Sequence, residues 1–240
     1  MNELAQKVAL VTGGARDIGR AISLRLAAEG ASVLVNYFDN PNDAADTVRM
    51  IMDKGGKAVA AQADATKASE VHKLVMKCRE SFGQEIHLLV NVAGGLMGRK
   101  KMDEMNEDFW DAVMNVNLKS AFLVTKAVLP HMPNGGTIVN FSSQAARDGG
   151  GMGAIAYATA KGGILTFTRG LAKELGPRKI RVNCVSPGMI NTTFHNTFTK
   201  PEVRQKVAGM TPLGREGEAA EVAELVFFLA SERSAFINGE

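Results

Sequence analysis

The chain has 240 residues, of which 45% are hydrophobic and 22% are charged, and its 28 basic and 25 acidic side chains leave a formal net charge of +3. This composition is typical of a globular protein with a sizeable core, and so small a net charge gives no indication of nucleic-acid binding. The two cysteines show neither zinc-ligand spacing nor a disulfide framework, no secretory signal precedes the first apolar run, and no window approaches 18 uncharged apolar residues, so we expect a cytoplasmic protein with reduced thiols, no metal and no membrane span.

Six short runs rich in β-branched residues alternate with helical stretches along the chain. The runs lie at 7–12, 31–37, 57–62, 86–92, 136–142 and 180–186. Asn40 and Pro41 indicate the start of one intervening helix, and Asn106 indicates the start of a long one that runs towards Pro130. Apolar strands separated by helices predict a parallel sheet covered on both faces. We therefore expect a single α/β domain over residues 1–240, with a Rossmann-like, doubly wound sheet.

The end of the chain departs from this alternation. A helix is expected in "EAAEVAELVFFLASE", and the sequence then stops at "AFINGE". A further strand is expected at this place in a doubly wound sheet, so the last strand is missing from the pattern.

A glycine-rich turn, "TGGARDIGR", follows the first run. Its glycines, Gly13, Gly14 and Gly19, let the backbone approach a ligand closely, and a helix that starts at Ile18 would point unpaired N–H groups at an anion. A second glycine-rich turn, "NVAGG" at 91–95, follows the fourth run. Ligands of such sheets bind at the carboxyl ends of the strands where the winding reverses. Two such turns at one edge therefore predict a dinucleotide site.

The motif "YATAK" places Tyr157 four residues before Lys161, so the two side chains share a helix face. A neighbouring ammonium favours the phenolate and lowers the pKa of a tyrosine. Tyr157 would then act as a general acid and base near neutral pH. The alternative is a half-buried tyrosine beside a lysine whose amine reaches solvent.

Four motifs in the same order resemble those of the short-chain dehydrogenase/reductase family over nearly the whole chain. They are Thr12–Gly19, Asn91–Gly94, Tyr157–Lys161 and Pro187–Gly188. The resemblance implies an NAD(P)(H)-dependent oxidoreductase that transfers hydride between nicotinamide and a ketone or secondary alcohol. It also implies a cofactor site made by Gly13, Arg16, Asp17, Ile18, Gly19, Asn36, Tyr37, Asp64, Ala65, Asn91, Ala93, Gly94, Tyr157, Lys161, Pro187, Gly188, Ile190 and Thr192.

The same resemblance implies four catalytic residues. Tyr157 would exchange the proton with the substrate, and Lys161 would also hold the nicotinamide ribose. Ser143, favoured over Ser142, would bond the substrate oxygen. Asn117, favoured over Asn115, would hold a proton-relay water.

Two further positions have a family role and a simpler alternative. Thr192 matches the residue that bonds the nicotinamide carboxamide, and its alternative is a loop cap. Asp64 matches the carboxylate beside the adenine, and its alternative is to shape the turn before Thr66.

The chain departs from the family pattern at two positions. Asp17 stands where the glycine loop usually has its middle glycine, and Val92 stands where a second asparagine is usual. Aspartate tolerates left-handed backbone, and we expect Asp17 to cap the helix. A bond to a ribose hydroxyl or to a neighbouring donor is the alternative.

The cofactor type depends on a few charged positions. Arg16 lies where NADP-preferring members of the family often carry a basic residue, and Tyr37 lies where an NAD enzyme usually has an acid. Asp17 and Asp39 favour NAD instead. The balance favours NADP(H), with NAD(H) as the alternative.

The substrate is described only by class. Arg99, Lys100, Lys101 and Arg147 could attract a carboxylate or phosphate, although a solvated basic face is the more common explanation of such a run. The alternatives are a sugar or sugar-acid ketone and a 3-oxoacyl thioester. The Thr-Arg-Asp usual in 3-oxoacyl reductases is absent after the fourth run, which counts against the thioester.

The segment 190–215 is long and polar and is expected to form a substrate lid. Its candidate pocket walls are Phe194, His195, Phe198 and Met210. The helices at 106–131 and from Ile155 match those through which the family assembles, which implies a homotetramer.

Two other functions need comparison with this one. An enoyl reductase of related fold spaces its tyrosine and lysine more widely than "YATAK" does. A non-catalytic NADP-binding sensor would keep the glycine loop and lose the chemistry.

Overall fold

The computed structural model describes residues 2–193 and 201–240. Its central sheet has six parallel strands in the order β3-β2-β1-β4-β5-β6. The strands are β1 (Val8–Thr12), β2 (Ser32–Tyr37), β3 (Lys57–Gln62), β4 (Leu88–Asn91), β5 (Thr137–Phe141) and β6 (Arg181–Val185). Each lies inside one of the six expected runs, which confirms the predicted fold class. The winding reverses between β1 and β4.

Nine α-helices lie within the described part of the chain. They are α1 (Asp17–Ala28), α2 (Pro41–Met52), α3 (Ala68–Phe82), α4 (Glu107–Met114), α5 (Ser120–Val128), α6 (Ala145–Asp148), α7 (Ile155–Leu175), α8 (Pro201–Met210) and α9 (Ala219–Ala230). Asn40 caps α2 by accepting hydrogen bonds from the backbone N–H groups of Asn42 and Asp43. Asn106 caps α4 by accepting from the N–H of Phe109 at 3.1 Å. Both predicted helix starts are therefore confirmed.

The helices form two layers because strand side chains alternate between the faces of the sheet. Ala9 and Val11 of β1 pack with α1, α2 and α9 on one face. Val8 and Leu10 pack with α3, α5 and α7 on the other. All five residues of β1 are buried, so its continuous apolar run reflects a strand covered on both sides.

The long helical segment Glu107–His131 is interrupted by a π-turn at Asn115–Lys119. By length and composition alone it is apolar enough to cross a membrane, with a mean hydropathy of 1.2, a test that core helices also pass. Here its residues Val113, Val124 and Val128 are fully buried in the protein. The π-turn contains Asn117, whose side chain is buried.

The last residues of the chain run beside β6. The N–H of Gly239 donates to the carbonyl of Val182 at 2.9 Å, and the N–H of Cys184 donates to the carbonyl of Glu240 at 2.6 Å. They lie at the edge of the sheet where the sequence pattern predicts a further strand.

Alanine substitutions at two helical glycines test the close backbone packing in the first glycine turn. A Cβ at Gly19 would lie 1.9 Å from the carbonyl oxygen of Gly13, whereas a Cβ at Gly170 would meet nothing within 4 Å. We expect Gly19→Ala to lower the free energy of unfolding by about 1–3 kcal/mol through overpacking. Gly170→Ala should raise it by about 0.5–1 kcal/mol, because alanine favours the helix. Urea denaturation measures both, and a Gly19→Ala protein as stable as the unchanged one would contradict the prediction.

Candidate active site

The two glycine-rich turns meet at the carboxyl ends of β1 and β4, as predicted. Gly13 has a φ of +61°, and a Cβ there would lie 3.3 Å from the backbone of Ala93. The N–H of Ala93 donates to the Thr12 hydroxyl at 3.1 Å. Because glycine allows this approach, the turns form one continuous surface at the reversal of the sheet.

Two buried asparagines hold these turns from behind. Asn36 accepts a hydrogen bond from the N–H of Gly13 at 3.3 Å and donates to the carbonyl of Ala63 at 3.2 Å. Asn91 donates to the Thr125 hydroxyl at 3.2 Å and to Asn140 at 2.9 Å. Their side chains therefore position the turns from within the core, which the sequence analysis did not anticipate for Asn36.

The helix start beside the first turn fits a phosphate group. Arg16 is the N-cap residue of α1, and its side chain makes no cap hydrogen bond. The first N–H groups of a helix carry partial positive charge and have no partner within the helix. Together with the close-packed glycines, this end of α1 suits the pyrophosphate of a dinucleotide.

Asp17 does not cap the helix, so that expectation was wrong. Its φ is +51°, and the N-cap position of α1 belongs to Arg16. The carboxylate accepts a hydrogen bond from the N–H of Thr193 at 2.9 Å and another from the Thr193 hydroxyl. The neighbouring-donor alternative is therefore the one that the structure contains.

Ser143 is the serine that reaches the tyrosine. It follows β5, and its hydroxyl is hydrogen-bonded to the hydroxyl of Tyr157 in the first turn of α7. Ser142 is buried and donates instead to the backbone carbonyl of Lys161 at 2.7 Å. The choice of Ser143 over Ser142 thus agrees with the geometry.

Lys161 is buried, with 4% of its surface exposed, so the alternative with its amine in solvent is wrong. Its Nζ donates to the carbonyl of Phe141 at 2.8 Å and lies 5.8 Å from the centroid of the Tyr157 ring. A Cβ at Gly94 would come within 3.0 Å of this Nζ. Burial lowers the pKa of Lys161 to about 8.

The pKa of Tyr157 moves against the sequence-based expectation. Burial raises it, and the hydrogen bond from Ser143 opposes that rise. Desolvation disfavours a phenolate and an ammonium alike. Burial is the largest cause of the shift in each group, so the protein groups by themselves favour a protonated phenol.

Asn117, rather than Asn115, is hydrogen-bonded to the second glycine turn. It is buried in the π-turn, accepts from the N–H of Gly95 at 2.9 Å and donates to the carbonyl of the same residue at 2.8 Å. A Cβ at Gly94 would lie 2.8 Å from its Oδ1. π-turns are frequent at functional sites, and this one brings a polar side chain next to Lys161.

The expected adenine end of the site is only partly built by the predicted residues. Asp64 accepts from the N–H and hydroxyl of Thr66 at 2.9 and 2.7 Å, which is the turn-shaping alternative. Ala65 is buried in the core. Tyr37 is half-buried, and Arg16 is exposed at the rim of the first turn.

The segment after β6 forms the opposite wall. Pro187 accepts from the N–H of Gln144 at 2.9 Å, while Gly188 is exposed. The short strand β7 (Ile190–Asn191) pairs in parallel with β8 (Gly217–Glu218). Thr192 is buried, and its hydroxyl donates to the carbonyl of Ile190 at 3.2 Å, as its loop-cap alternative required.

The predicted lid is only partly covered by the described residues. Phe194, His195 and Phe198 lie outside them, whereas Met210 ends α8 with 73% of its surface exposed. Met210 therefore does not form a buried pocket wall.

Two of the expected basic residues have partners in the protein. Arg99 donates to the carbonyl of Met152 at 3.1 Å, and the Nζ of Lys100 lies 4.8 Å from the centroid of the Phe109 ring. Lys101 and Arg147 are exposed. Arg99 is also exposed and Lys100 is half-buried, which fits the solvated basic face more than a defined substrate site.

One contact was missed entirely by sequence reasoning. Thr193 lies 176 residues from Asp17, and no local motif connects the two positions. The only available signal was the unusual residue in the glycine loop, which required a partner that the sequence could not identify.

Comparison with known proteins supports the geometry. A family model described as "Enoyl-(Acyl carrier protein) reductase", which is part of the short-chain dehydrogenase/reductase family, matches residues 13–240. The (3R)-3-hydroxyacyl-CoA dehydrogenase of Mus musculus is 40% identical over 247 residues, which cover 98% of this chain and 93% of the relative. A short-chain dehydrogenase/reductase from Serratia marcescens has a TM-score of 0.93 at 34% identity, with 98% of this chain and 95% of that chain covered. A short chain dehydrogenase from Burkholderia cenocepacia in complex with NADP has a TM-score of 0.91 at 35% identity, with 99% and 95% covered.

The burial of Lys161 predicts a pH-dependent stability. Its folded pKa of about 8 lies below the ordinary 10.5, so between these values the unfolded chain binds more protons and the folded state gains stability as pH rises. From pH 7.5 to 9.5 the free energy of unfolding should rise by about 1–2 kcal/mol relative to that of Lys161→Met. Urea denaturation of both proteins at both pH values measures this.

The control for the loss of any lysine is Lys173→Met, at an exposed position of the same helix. A stability difference between the unchanged protein and Lys161→Met that stays constant across this pH range would show that the amine is not held in a desolvated site.

Proposed function

The chain belongs to the short-chain dehydrogenase/reductase family, and from that premise we propose that it interconverts a ketone and a secondary alcohol with NADP(H), with Tyr157 as general acid and base. It is a nicotinamide-dependent oxidoreductase that acts on carbonyl and hydroxyl groups. The observation that carries the proposal is the cluster of Ser143, Tyr157 and the buried Lys161 beside the two glycine turns.

The proposed proton transfer follows from the state of these side chains. When bound, the nicotinamide cofactor supplies the hydride to the carbonyl carbon or accepts it from the alcohol. During reduction Tyr157 gives its proton to the substrate oxygen, and the Ser143 hydroxyl donates a hydrogen bond to the same oxygen as negative charge develops there. The raised pKa of Tyr157 keeps the phenol protonated at neutral pH, as a proton donor requires. In the reverse direction the phenolate accepts the alcohol proton.

Lys161 and Asn117 lie beside the second glycine turn, next to the proposed site of proton transfer. The Lys161 amine donates to the carbonyl of Phe141 and lies beside the second glycine turn, and the family resemblance implies that it holds the nicotinamide ribose. Asn117 fixes the same turn through Gly95. Asn117 therefore holds this turn, and the Lys161 amine lies next to it at Gly94.

The description of the family model names an enoyl reductase, a related activity on a carbon–carbon double bond. The spacing of four residues between Tyr157 and Lys161 favours carbonyl reduction, since enoyl reductases of related fold space these residues more widely.

The substrate class that we propose is a 3-oxoacyl thioester or the corresponding 3-hydroxyacyl thioester. The relatives support this class, whereas the absence of Thr-Arg-Asp after β4 counts against it. The mouse relative is named a (3R)-3-hydroxyacyl-CoA dehydrogenase and aligns over nearly the full length of this chain. Arg147 and Lys101 are exposed and could attract the phosphates of such a carrier. A sugar or sugar-acid ketone is the alternative that the same surface would attract.

The test of the catalytic assignment removes the hydroxyl of Tyr157. The assay follows oxidation of NADPH with a panel of ketones that includes acetoacetyl-CoA and sugar ketones. We expect Tyr157→Phe to lower kcat by about 10²- to 10⁴-fold, the usual contribution of a general acid, while NADPH binding is retained. Thr159→Val, which removes an exposed hydroxyl from the same helix, is the matched control and should keep kcat.

Turnover by Tyr157→Phe at the unchanged rate would overturn the assignment. Binding of NADPH by the unchanged protein without turnover of any carbonyl would favour the sensor instead.

We propose NADP(H) as the cofactor for three reasons. Arg16 is exposed at the rim of the first glycine turn, where it can reach a 2′-phosphate. Tyr37 ends β2 where an NAD enzyme usually has an acid. The Burkholderia structure is a complex with NADP.

Arg16 gives the test of this preference. We expect Arg16→Ala to lower kcat/KM for NADPH by about 10- to 100-fold, because a charged hydrogen bond to the phosphate is lost, and to leave kcat/KM for NADH nearly unchanged. Arg49→Ala, on the exposed face of α2, controls for the loss of a positive charge. An equal effect on both cofactors would contradict the proposal.

Assembly and location are also proposals. Phe122 and Ile155 expose 44% and 46% of their surface on the helices through which the family assembles, which supports a homotetramer. Light scattering after size exclusion measures its mass. We place the protein in the cytoplasm, which cell fractionation tests.

A further inference from the structure

The glycine turn and the segment after β7 are tied together across the cofactor cleft. The Asp17 carboxylate accepts from both the N–H and the hydroxyl of Thr193, the former at 2.9 Å. Asp17 belongs to the turn that suits a pyrophosphate, and Thr193 belongs to the opposite wall. These bonds therefore span the opening between the two walls.

Asp17 adopts a backbone conformation that glycine would adopt with less strain. Its φ of +51° is left-handed, which a residue with a Cβ occupies at a cost in energy. The side chain does not recover that cost by capping α1, since the cap position belongs to Arg16. An outlier of this kind at a ligand site is a reason to look for function. The side chain accepts two hydrogen bonds from Thr193 in this conformation.

The segment Ile190–Thr193 is held from its other side as well. Ile190 and Asn191 pair with β8, and Arg204 of α8 donates to Asn191 at 2.5 Å while it pairs with Glu216. With these contacts the segment is fixed to its own wall. The Asp17–Thr193 bonds are what join it to the glycine turn.

We propose that Asp17 and Thr193 form a clasp across the cofactor cleft, and that the clasp slows the exchange of the nicotinamide cofactor in both directions. The inference rests on the proposed cofactor function of this cleft. A closed clasp must open for a dinucleotide to pass, which slows release. The Asp17 carboxylate also repels an incoming pyrophosphate, which slows binding. Asp17 is thus a positioning residue that sets exchange rates more than affinity.

A double-mutant cycle separates the clasp from a general loss of charge. NADPH fluorescence in stopped flow gives association and dissociation rate constants for the unchanged protein, Asp17→Gly, Thr193→Val and the double variant. Asp17→Gly restores the usual residue of the glycine loop and relieves the left-handed strain, so it is expected to fold. Asp53→Gly, at an exposed position after α2, is the matched control and should leave both rate constants unchanged.

We expect Asp17→Gly to raise both rate constants by about fivefold or more, and Thr193→Val to raise dissociation by a smaller factor because its N–H remains. In the Asp17→Gly background, Thr193→Val should have no further effect. Equal effects of Thr193→Val in both backgrounds, or unchanged rates in Asp17→Gly, would overturn the clasp.

Amide hydrogen exchange in the cofactor-free protein gives a readout that needs no bound cofactor. The Thr193 amide should exchange about fivefold faster or more in Asp17→Gly than in the unchanged protein. If the protein binds no NADPH, the proposed cofactor is wrong, and the clasp is judged on this amide. Faster exchange then supports the contact, and unchanged exchange overturns it.

Discussion

The site depends on the close approach of backbone to backbone where the winding of the sheet reverses. Gly13 lies against Ala93, and Gly19 lies so close to Gly13 that no side chain fits between them. A Cβ at Gly94 would instead meet two side chains, the Asn117 amide at 2.8 Å and the Lys161 amine at 3.0 Å. Without these contacts the two turns would separate, and neither the anion-binding helix start nor the lysine would lie at the same edge. The parallel sheet brings the carboxyl ends of β1 and β4 side by side, and the glycines let the two turns approach closely enough to form a ligand site.

Desolvation then decides the chemistry of the groups placed there. The Lys161 amine is buried against one backbone carbonyl, and burial lowers its pKa to about 8. The same environment raises the pKa of Tyr157. Each shift favours the neutral form of its group. The protein alone therefore prepares a phenol that donates a proton, and a ligand that brings positive charge to the cleft would shift the balance towards the phenolate.

Most of the fold could be predicted because its signals are local. The apolar runs mark the strands, and Asn40 and Asn106 mark helix starts through bonds to residues two or three positions away. The tyrosine–lysine pair could be predicted for the same reason, since helical spacing alone puts both side chains on one face. The choice of Ser143 rested on a resemblance in spacing, and the geometry agrees with it.

The features that were missed depend on contacts between distant segments or on burial. The family resemblance implied that Asn36 contacts the cofactor, but its amide is used by Gly13 and Ala63. The pKa of Tyr157 depends on how much water the fold excludes, which no spacing reveals.

Asp17 combines both difficulties and shows where this chain differs from its family. A carboxylate in the first turn of a helix is stabilised by the partial positive charge of the helix start. That is the field in which a pyrophosphate would bind, so the helix start already has an anion of its own beside the ligand site. With glycine at this position, the partial positive charge of the helix start would act on the ligand's phosphates alone. Because the Asp17 carboxylate also accepts hydrogen bonds from Thr193, one side chain connects the helix start that suits a phosphate to the opposite wall of the cleft.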